Sequence, residues 1–306
     1  SYKTQSFISI PIKRQGATIG VLSLADKLNR AQFDAFDLRV LSTVASQIAE
    51  VHQNIQYQKN MLEQQRLARE IDVASEIQAN ILPRIPESIG AHRLAAMNRP
   101  AKEVGGDFYD FFKFDENKYG IVVADVSGKG IPAAIFMGTA RNVIRAESRI
   151  SNQPGTLLRK SNRYIYEDSE QGMFVTLIYV LIDTHNNIIT YANGGHNDQI
   201  LYKKKTGEVI KLNADGIPLG ISDRARFEER IIFYEPGDML VLFTDGILEY
   251  LGDLDIDSGE RVLTDTIRTF IDEGPAALVN HFSVKIASED INTDVIDDFT
   301  LFAVQF

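Results

Sequence analysis

The chain has 306 residues, enough for about two folding units, and sets 42 Asp and Glu against 32 Lys and Arg for a formal charge of -10. That excess repels a phosphate backbone and argues against nucleic-acid binding, while zero cysteines exclude disulfide scaffolds, zinc–cysteine sites and thiol catalysis together. No apolar run approaches the roughly 18 residues that span a bilayer and no signal-peptide pattern is read at the start, so a soluble, acidic, cytoplasmic protein with no membrane partner is expected.

Residues 1 to about 30 read as a strand pair. Phe7-Ile8-Ser9-Ile10-Pro11-Ile12 alternates, Gln15-Gly16 supplies a turn, and Thr18–Leu24 alternates again. A helix starts near Asp34, where Asp34-Ala35-Phe36-Asp37 resembles a capping box with Asp in place of Glu. Two strands and a helix cannot close a core of their own, so further sequence or another chain is expected to complete it. From Leu38 to about Leu82 the chain reads as one helical stretch without Gly or Pro. Leu41, Val44, Ile48, Val51, Ile55 and Leu62 follow coiled-coil spacing, with Gln58 as the polar exception. The next set, Leu67, Ile71, Ala74 and Ile81, is out of phase because the step from Leu62 to Leu67 is five residues. This pattern fits either a helix packed along the following domain or a parallel dimer helix with a built-in joint. Leu82-Pro83-Arg84-Ile85-Pro86 ends it.

Residues from about 92 onward read as one domain. Strands are expected at Ile121–Ala124, Phe174–Ile182, Ile188–Ala192, Ile200–Tyr202, Met239–Phe243 and Phe299–Phe306. Hairpin turns fall at Asn186-Asn187 and Lys205-Thr206-Gly207-Glu208, and Pro236-Gly237-Asp238 opens another strand. Helices are expected near Pro132, after Pro154 and after Gly259. Consecutive hairpins favour antiparallel sheets with helices outside them, an α+β layered architecture rather than a doubly wound one.

The aspartates carry the chemical signal. Asp125 terminates Ile121-Val122-Val123-Ala124 and leads into Val126-Ser127-Gly128-Lys129-Gly130. Asp245 terminates Leu240–Thr244 and precedes Gly246; Asp297 and Asp298 stand directly before the final strand; Asp107 follows Gly105-Gly106. One Asp before Gly is an ordinary turn. Four such contexts, each beside glycine or a second carboxylate, suggest strand ends gathered into an all-oxygen site for a hard divalent ion, because clustered carboxylates repel unless a cation neutralises them.

Glu103-Val104-Gly105-Gly106-Asp107-Phe108-Tyr109-Asp110, Ala124-Asp125-Val126-Ser127-Gly128-Lys129-Gly130, Ala192-Asn193-Gly194-Gly195-His196, Phe243-Thr244-Asp245-Gly246 and Asp297-Asp298-Phe299-Thr300 occur in that order. Together they resemble the SpoIIE/RsbU branch of the metal-dependent PPM, or protein phosphatase 2C-like, serine/threonine phosphatases. The match covers about residues 75–306, and the lead-in Ile77-Gln78 to Leu82-Pro83 resembles that branch too. Residues 1–52 more weakly resemble the last two strands and terminal helix of a GAF sensor domain.

The resemblance implies two packed, mainly antiparallel sheets flanked by helices, with two Mn²⁺ or Mg²⁺ ions in a cleft at one end. By motif position Asp125 bridges both ions and the Val126 carbonyl ligates one. Asp245 and Asp297 hold the other, Asp107 acts partly through water, and Asp298 is an auxiliary ligand. Water attack between two metals then needs no Cys or His nucleophile. Three parts are expected: a partial GAF-like sensor segment over 1–50, a helical dimerisation and regulatory linker over 51–88, and the phosphatase domain over 89–306. The implied substrate is phosphoserine or phosphothreonine on a STAS-domain anti-sigma-factor antagonist, and the linker implies a homodimer. The arginine that some relatives place on the substrate phosphate has no match; Lys102 and Lys129 are the nearest candidates, against the ordinary reading of an exposed lysine as surface charge.

Other signals weaken on inspection. Gly128-Lys129-Gly130 has the wrong glycine spacing for a P-loop. Asp253–Gly259 resembles a calcium loop with its glycine one place late, and reads as a solvated acidic loop. His52, His92, His185, His196 and His281 show no zinc-site spacing, and His196 is expected to hydrogen-bond structurally. Two rival readings stay open: a phosphatase fold that binds a partner without turnover, and a GGDEF-type nucleotide cyclase suggested by Gly105-Gly106-Asp107-Phe108.

Overall fold

A computed structural model describes residues 6–29, 31–169, 172–253, 255–288 and 297–306. In chain order the elements are β1 (Phe7–Arg14), β2 (Ala17–Ala25), α1 (Ala35–Ile81), β3 (Ser88–Ile89), β4 (His92–Arg99), β5 (Phe108–Lys113), β6 (Lys118–Val126), α2 (Ile131–Ser148) and α3 (Pro154–Asp168). There follow β7 (Val175–Asp183), β8 (Ile188–Gly194), β9 (Gln199–Tyr202), β10 (Val209–Leu212), β11 (Glu229–Phe233) and β12 (Met239–Phe243). The last are α4 (Asp245–Gly252), α5 (Ile256–Phe270), α6 (Pro275–Ser288) and β13 (Phe299–Gln305). The chain divides into two compact units, 1–70 and 71–306. No helix among the described residues is long and apolar enough to cross a membrane.

In the first unit β1 and β2 form an antiparallel hairpin whose turn, Gln15-Gly16, has φ of 46° and 86°. Two consecutive positive-φ residues match the right-handed twist of the strands, and glycine takes the second without cost. The capping box at α1 is reciprocal. Asp34 Oδ1 accepts the N–H groups of Phe36 and Asp37, and Asp34 N–H donates to Asp37 Oδ2 at 2.9 Å. Along this part of α1 Ala45 and Ala49 are buried, whereas Val44, Ile48, Val51, Ile55, Leu62 and Leu67 are exposed.

The second unit is a sandwich of two antiparallel sheets. One has strand order β10-β9-β12-β13-β4-β3 and the other β11-β8-β7-β6-β5. Between them lies a core that includes Ile121, Val123, Ile178, Val180, Leu240, Leu242 and Phe302. Alternate residues on the same strands face outward. Val122, Ala124 and Leu177 pack with Met137, Ile144 and Leu158 of α2 and α3, and Val241 and Leu301 pack with Leu263, Ile267 and Phe282 of α5 and α6. Both faces of each sheet are thus covered, which is why the strands read as continuous apolar runs rather than a polar alternation.

Two helices escape the sequence reading. α4 begins at Asp245-Gly246, a pair that reads as a turn; its glycine is required because a Cβ there would lie 2.1 Å from the Asp298 carbonyl oxygen. α6 opens on Pro275, which suits the first helical position, where no N–H is needed. The acidic stretch 253–259 is only partly a loop: α5 starts at Ile256, three residues before Gly259, and Leu254 lies outside the described residues.

Candidate active site

Strand register brings the aspartates to one end of the sandwich. Phe108 pairs with Ala124, so Asp107, just before β5, lies beside Asp125. Asp125 is the penultimate residue of β6 rather than the residue after it, because the ladder with β7 continues through Val126. Phe243 pairs with Leu301, so Asp245 leaves β12 where Asp297 and Asp298 enter β13. The two sheets join through hydroxyl groups at this rim. Thr244 Oγ1 donates to Asp107 Oδ2 at 2.6 Å, and Thr300 Oγ1 donates to the same oxygen at 2.8 Å. Asn98 Nδ2 donates to the Asp107 carbonyl at 3.2 Å and to Thr300 Oγ1 at 2.9 Å. Thr244 and Thr300 lie inside the quoted motifs without a role assigned there, and Asn98 lies outside them. A threonine within two residues of an aspartate in both motifs is the signal that could have found the first two; nothing local marks Asn98.

Charge at this rim is frustrated. Burial, then the charges of Asp125 and Asp298, hold the Asp107 carboxyl well above the usual carboxylate range. Asp125 is pushed up to about 7, first by burial and then by Asp245, Asp297 and Asp298. Asp245 rises to about 6 through burial and the neighbouring Glu249 and Asp297. Among the described residues no three acidic or histidine side chains form a ready-made cage for a metal ion. The aspartates are gathered at one rim without closing on a common centre.

Asp298 is already engaged by the backbone. Its Oδ1 accepts the Ala101 N–H at 2.7 Å, and its Oδ2 accepts the N–H groups of Gly106 at 2.7 Å and Asp107 at 3.3 Å. A Cβ on Gly105 would fall 2.2 Å from Asp298 Oδ2, and one on Gly106 would fall 2.7 Å from the Val126 carbonyl oxygen. The glycine pair therefore lets the loop close over a carboxylate on one side and the end of β6 on the other. The Gln78 side chain clamps the same loop from α1: Nε2 donates to the Gly105 carbonyl at 2.6 Å, and Oε1 accepts the Gly105 N–H at 3.1 Å. Asp297 is less enclosed and faces Lys129, whose Nζ lies 3.3 Å from its Oδ2.

His196 joins the sheets beneath the rim. Its Nε2 donates to the Phe243 carbonyl at 3.2 Å, which leaves Nδ1 to accept from Thr176 Oγ1 at 2.8 Å. Thr176 pairs with Asp125 across the ladder. Burial lowers the imidazole to about 4, so it is neutral and structural, as the sequence suggested. A cavity of about 830 Å³ lies elsewhere, lined by Gln78, Leu82, Arg93, Asn98, Tyr109 and Glu273 among others, and none of the five aspartates lines it. Strand-end carboxylates, not cavity size, mark the chemistry here.

Comparison with known proteins places the chain in a family. Residues 115–306 match the family model described as Stage II sporulation protein E, and residues 1–51 match the GAF domain model. The chain is 34% identical over 187 residues to the phosphoserine phosphatase RsbU of Bacillus subtilis, an alignment covering 61% of this chain and 55% of that protein. It is 27% identical over 208 residues to the phosphoserine phosphatase RsbP of Bacillus subtilis, covering 64% and 51% respectively. The chain thus spans about half the length of these curated relatives. Among solved structures, the SiaA-PP2C domain of Pseudomonas aeruginosa superposes with a TM-score of 0.68 at 23% identity, over 80% of this chain and 98% of that one. That likeness identifies the fold, a protein phosphatase 2C sandwich. With that family model matched over more than half of its length, the chain belongs to the SpoIIE family.

Proposed function

We propose that this chain is a metal-dependent protein serine/threonine phosphatase. The observation that carries the reading is the gathering of Asp107, Asp125, Asp245 and Asp297 from the ends of four strands in two sheets, with burial and mutual repulsion raising Asp107, Asp125 and Asp245. Such an all-oxygen donor set suits Mn²⁺ or Mg²⁺, because a cation offsets the repulsion that the fold builds in. Asp107, Asp125, the Val126 carbonyl, Asp245 and Asp297 would hold two ions, with Asp298 auxiliary because its oxygens already accept backbone N–H groups. Bound ions would supply the positive charge and activated water that phosphomonoester hydrolysis needs. The protein's own contribution is to fix the Asp107 carboxylate through two threonine hydroxyls and to hold the glycine loop through Asp298 and Gln78.

The names of RsbU and RsbP support phosphoserine as the substrate class; a STAS-domain regulatory protein is the carrier we propose. We assign 1–50 to a partial GAF-like sensor, 51–88 to a dimerising and regulatory linker, and 89–306 to the phosphatase. The exposed Val44, Ile48, Val51, Ile55 and Leu62 support a second copy as the partner of α1.

Hydrolysis of a phosphoserine protein or an aryl phosphate, with and without millimolar Mn²⁺ and beside Asp125→Asn, tests the activity. Metal-dependent turnover lost in the mutant is expected. A partner-binding module without turnover is the alternative reading; calorimetry showing no metal uptake would select it. The GGDEF-type reading of Gly105–Phe108 has no support in a chain of this family.

A further inference from the structure

We propose that Lys129 receives the phosphoryl group of the substrate. This role rests on the phosphatase reading above and adds to it a cation that binds the phosphoryl oxygens non-covalently while water displaces the alcohol. The difficulty it answers is electrostatic. A phosphomonoester dianion approaching this rim meets Asp107, Asp125, Asp245, Asp297 and Glu249, so a cation at the entrance is needed to bring it in. Arginine is the usual partner for phosphate, yet among the described residues no ion pair joins an arginine to these carboxylates. Arg141 and Arg145 are both turned to the buried Asp110.

Lys129 is the cation that the fold brings there. It sits on the loop between β6, which carries Asp125, and α2, and its Nζ reaches Asp297 Oδ2 at 3.3 Å across the site. The side chain is 36% exposed, so the ammonium faces both the aspartate and solvent. Gly128 and Gly130 flank it with φ of 94° and 74°, and a Cβ at either would meet nothing within 4 Å. The loop therefore carries one long cationic side chain between two residues that leave open space around it. An ammonium is a compact point charge on a flexible stem, able to exchange a carboxylate oxygen for a phosphoryl oxygen without moving the backbone. Asp297 holds Lys129 in reach, and a phosphate arriving beside Asp297 takes over as its partner.

The test uses the full chain with Lys129→Ala and Lys129→Arg. Three quantities are measured: KM and kcat for an aryl phosphate with Mn²⁺, competitive inhibition by inorganic phosphate, and Mn²⁺ affinity by calorimetry. In Lys129→Ala, KM and the phosphate inhibition constant should each rise about tenfold, with Mn²⁺ affinity unchanged or tighter because the ammonium no longer competes for Asp297. Lys129→Arg should recover most of the loss. Unchanged KM and phosphate inhibition in Lys129→Ala would overturn the assignment, and so would weakened Mn²⁺ binding with normal phosphate inhibition, which would make Lys129 only a support for Asp297. If the wild type shows no turnover, the phosphatase reading fails separately. Phosphate binding measured by calorimetry on wild type and Lys129→Ala then decides the role of Lys129 by itself.

Discussion

At the scale of single residues, the site is a set of carboxylates that the fold holds against their own repulsion. Asp125, pushed up to about 7, is easier to protonate in the fold than in the unfolded chain. Its stabilising contribution is therefore present below about pH 4 and is lost as pH rises through 7. Asp125→Asn removes that repulsion. Without metal it should equal or exceed the wild type in stability at pH 8, by about 1–3 kcal/mol, while turnover falls by at least about a hundredfold. Urea unfolding in chelator and an aryl phosphate assay with Mn²⁺ check the two halves; wild-type rates in the mutant would remove Asp125 from the site. His196 acts with the opposite sign. Its imidazole falls from 6.5 to about 4 on folding, so its contribution is complete above about pH 6.5 and is lost as pH falls through 4. The full effect is at most about 3 kcal/mol. His196→Gln should flatten the dependence of stability on pH between 4 and 6.5, measured as unfolding midpoints across that range; an unaltered slope would mean that another group dominates it.

At the scale of elements, the decisive contacts run from side chains to a loop backbone. Gln78 on α1 satisfies both backbone groups of Gly105, and Asp298 at the start of β13 holds Gly106 from the other direction. Removing the Gln78 amide leaves a buried N–H and C=O without these partners, at a cost of about 1–3 kcal/mol. Gln78→Ala should thus lower turnover while far-ultraviolet circular dichroism stays native; full activity would show that the loop is held without α1. Gly105→Ala should be more damaging, since its Cβ would meet Asp298 Oδ2 at 2.2 Å; weaker Mn²⁺ binding and a lower melting temperature are expected. The change of phase between Leu62 and Leu67 motivates a test within the helix. Leu67→Gln and Ile71→Gln should alter activity or its regulation and leave the phosphatase unit folded, and unchanged kinetics with unchanged dimerisation would dismiss a two-register helix.

At the scale of the whole molecule, the two compact units differ in how they hide apolar surface. Residues 71–306 enclose three packed cores, whereas α1 leaves Val44, Ile48, Val51, Ile55 and Leu62 exposed along one stretch. A helix with such a stripe gains stability by covering it with another helix. Light scattering should therefore report a dimer for the full chain and a folded monomer for residues 71–306. A monomeric full chain at micromolar concentration would leave the stripe to some other partner.

Sequence alone determined the layered α+β architecture, the long helix and its cap, the hairpin turns and the candidate aspartates, because each is encoded locally. Apolar runs bounded by turns mark buried strands, Asp34 and Asp37 lie within one helical turn, and a carboxylate after a strand is visible in one dimension. Tertiary structure alone decided what those residues do to one another. Thr244 and Thr300 donate to Asp107 across 137 and 193 residues of chain, and Asp298 reaches Gly106 across 192. α4 stayed hidden for the same reason: Asp245-Gly246 reads as a turn until the Asp298 carbonyl occupies the place of a side chain. Residue type and spacing carry hydrophobic period and backbone freedom, whereas hydrogen-bond partners and raised carboxyl groups exist only once strand register has set distant chain ends side by side.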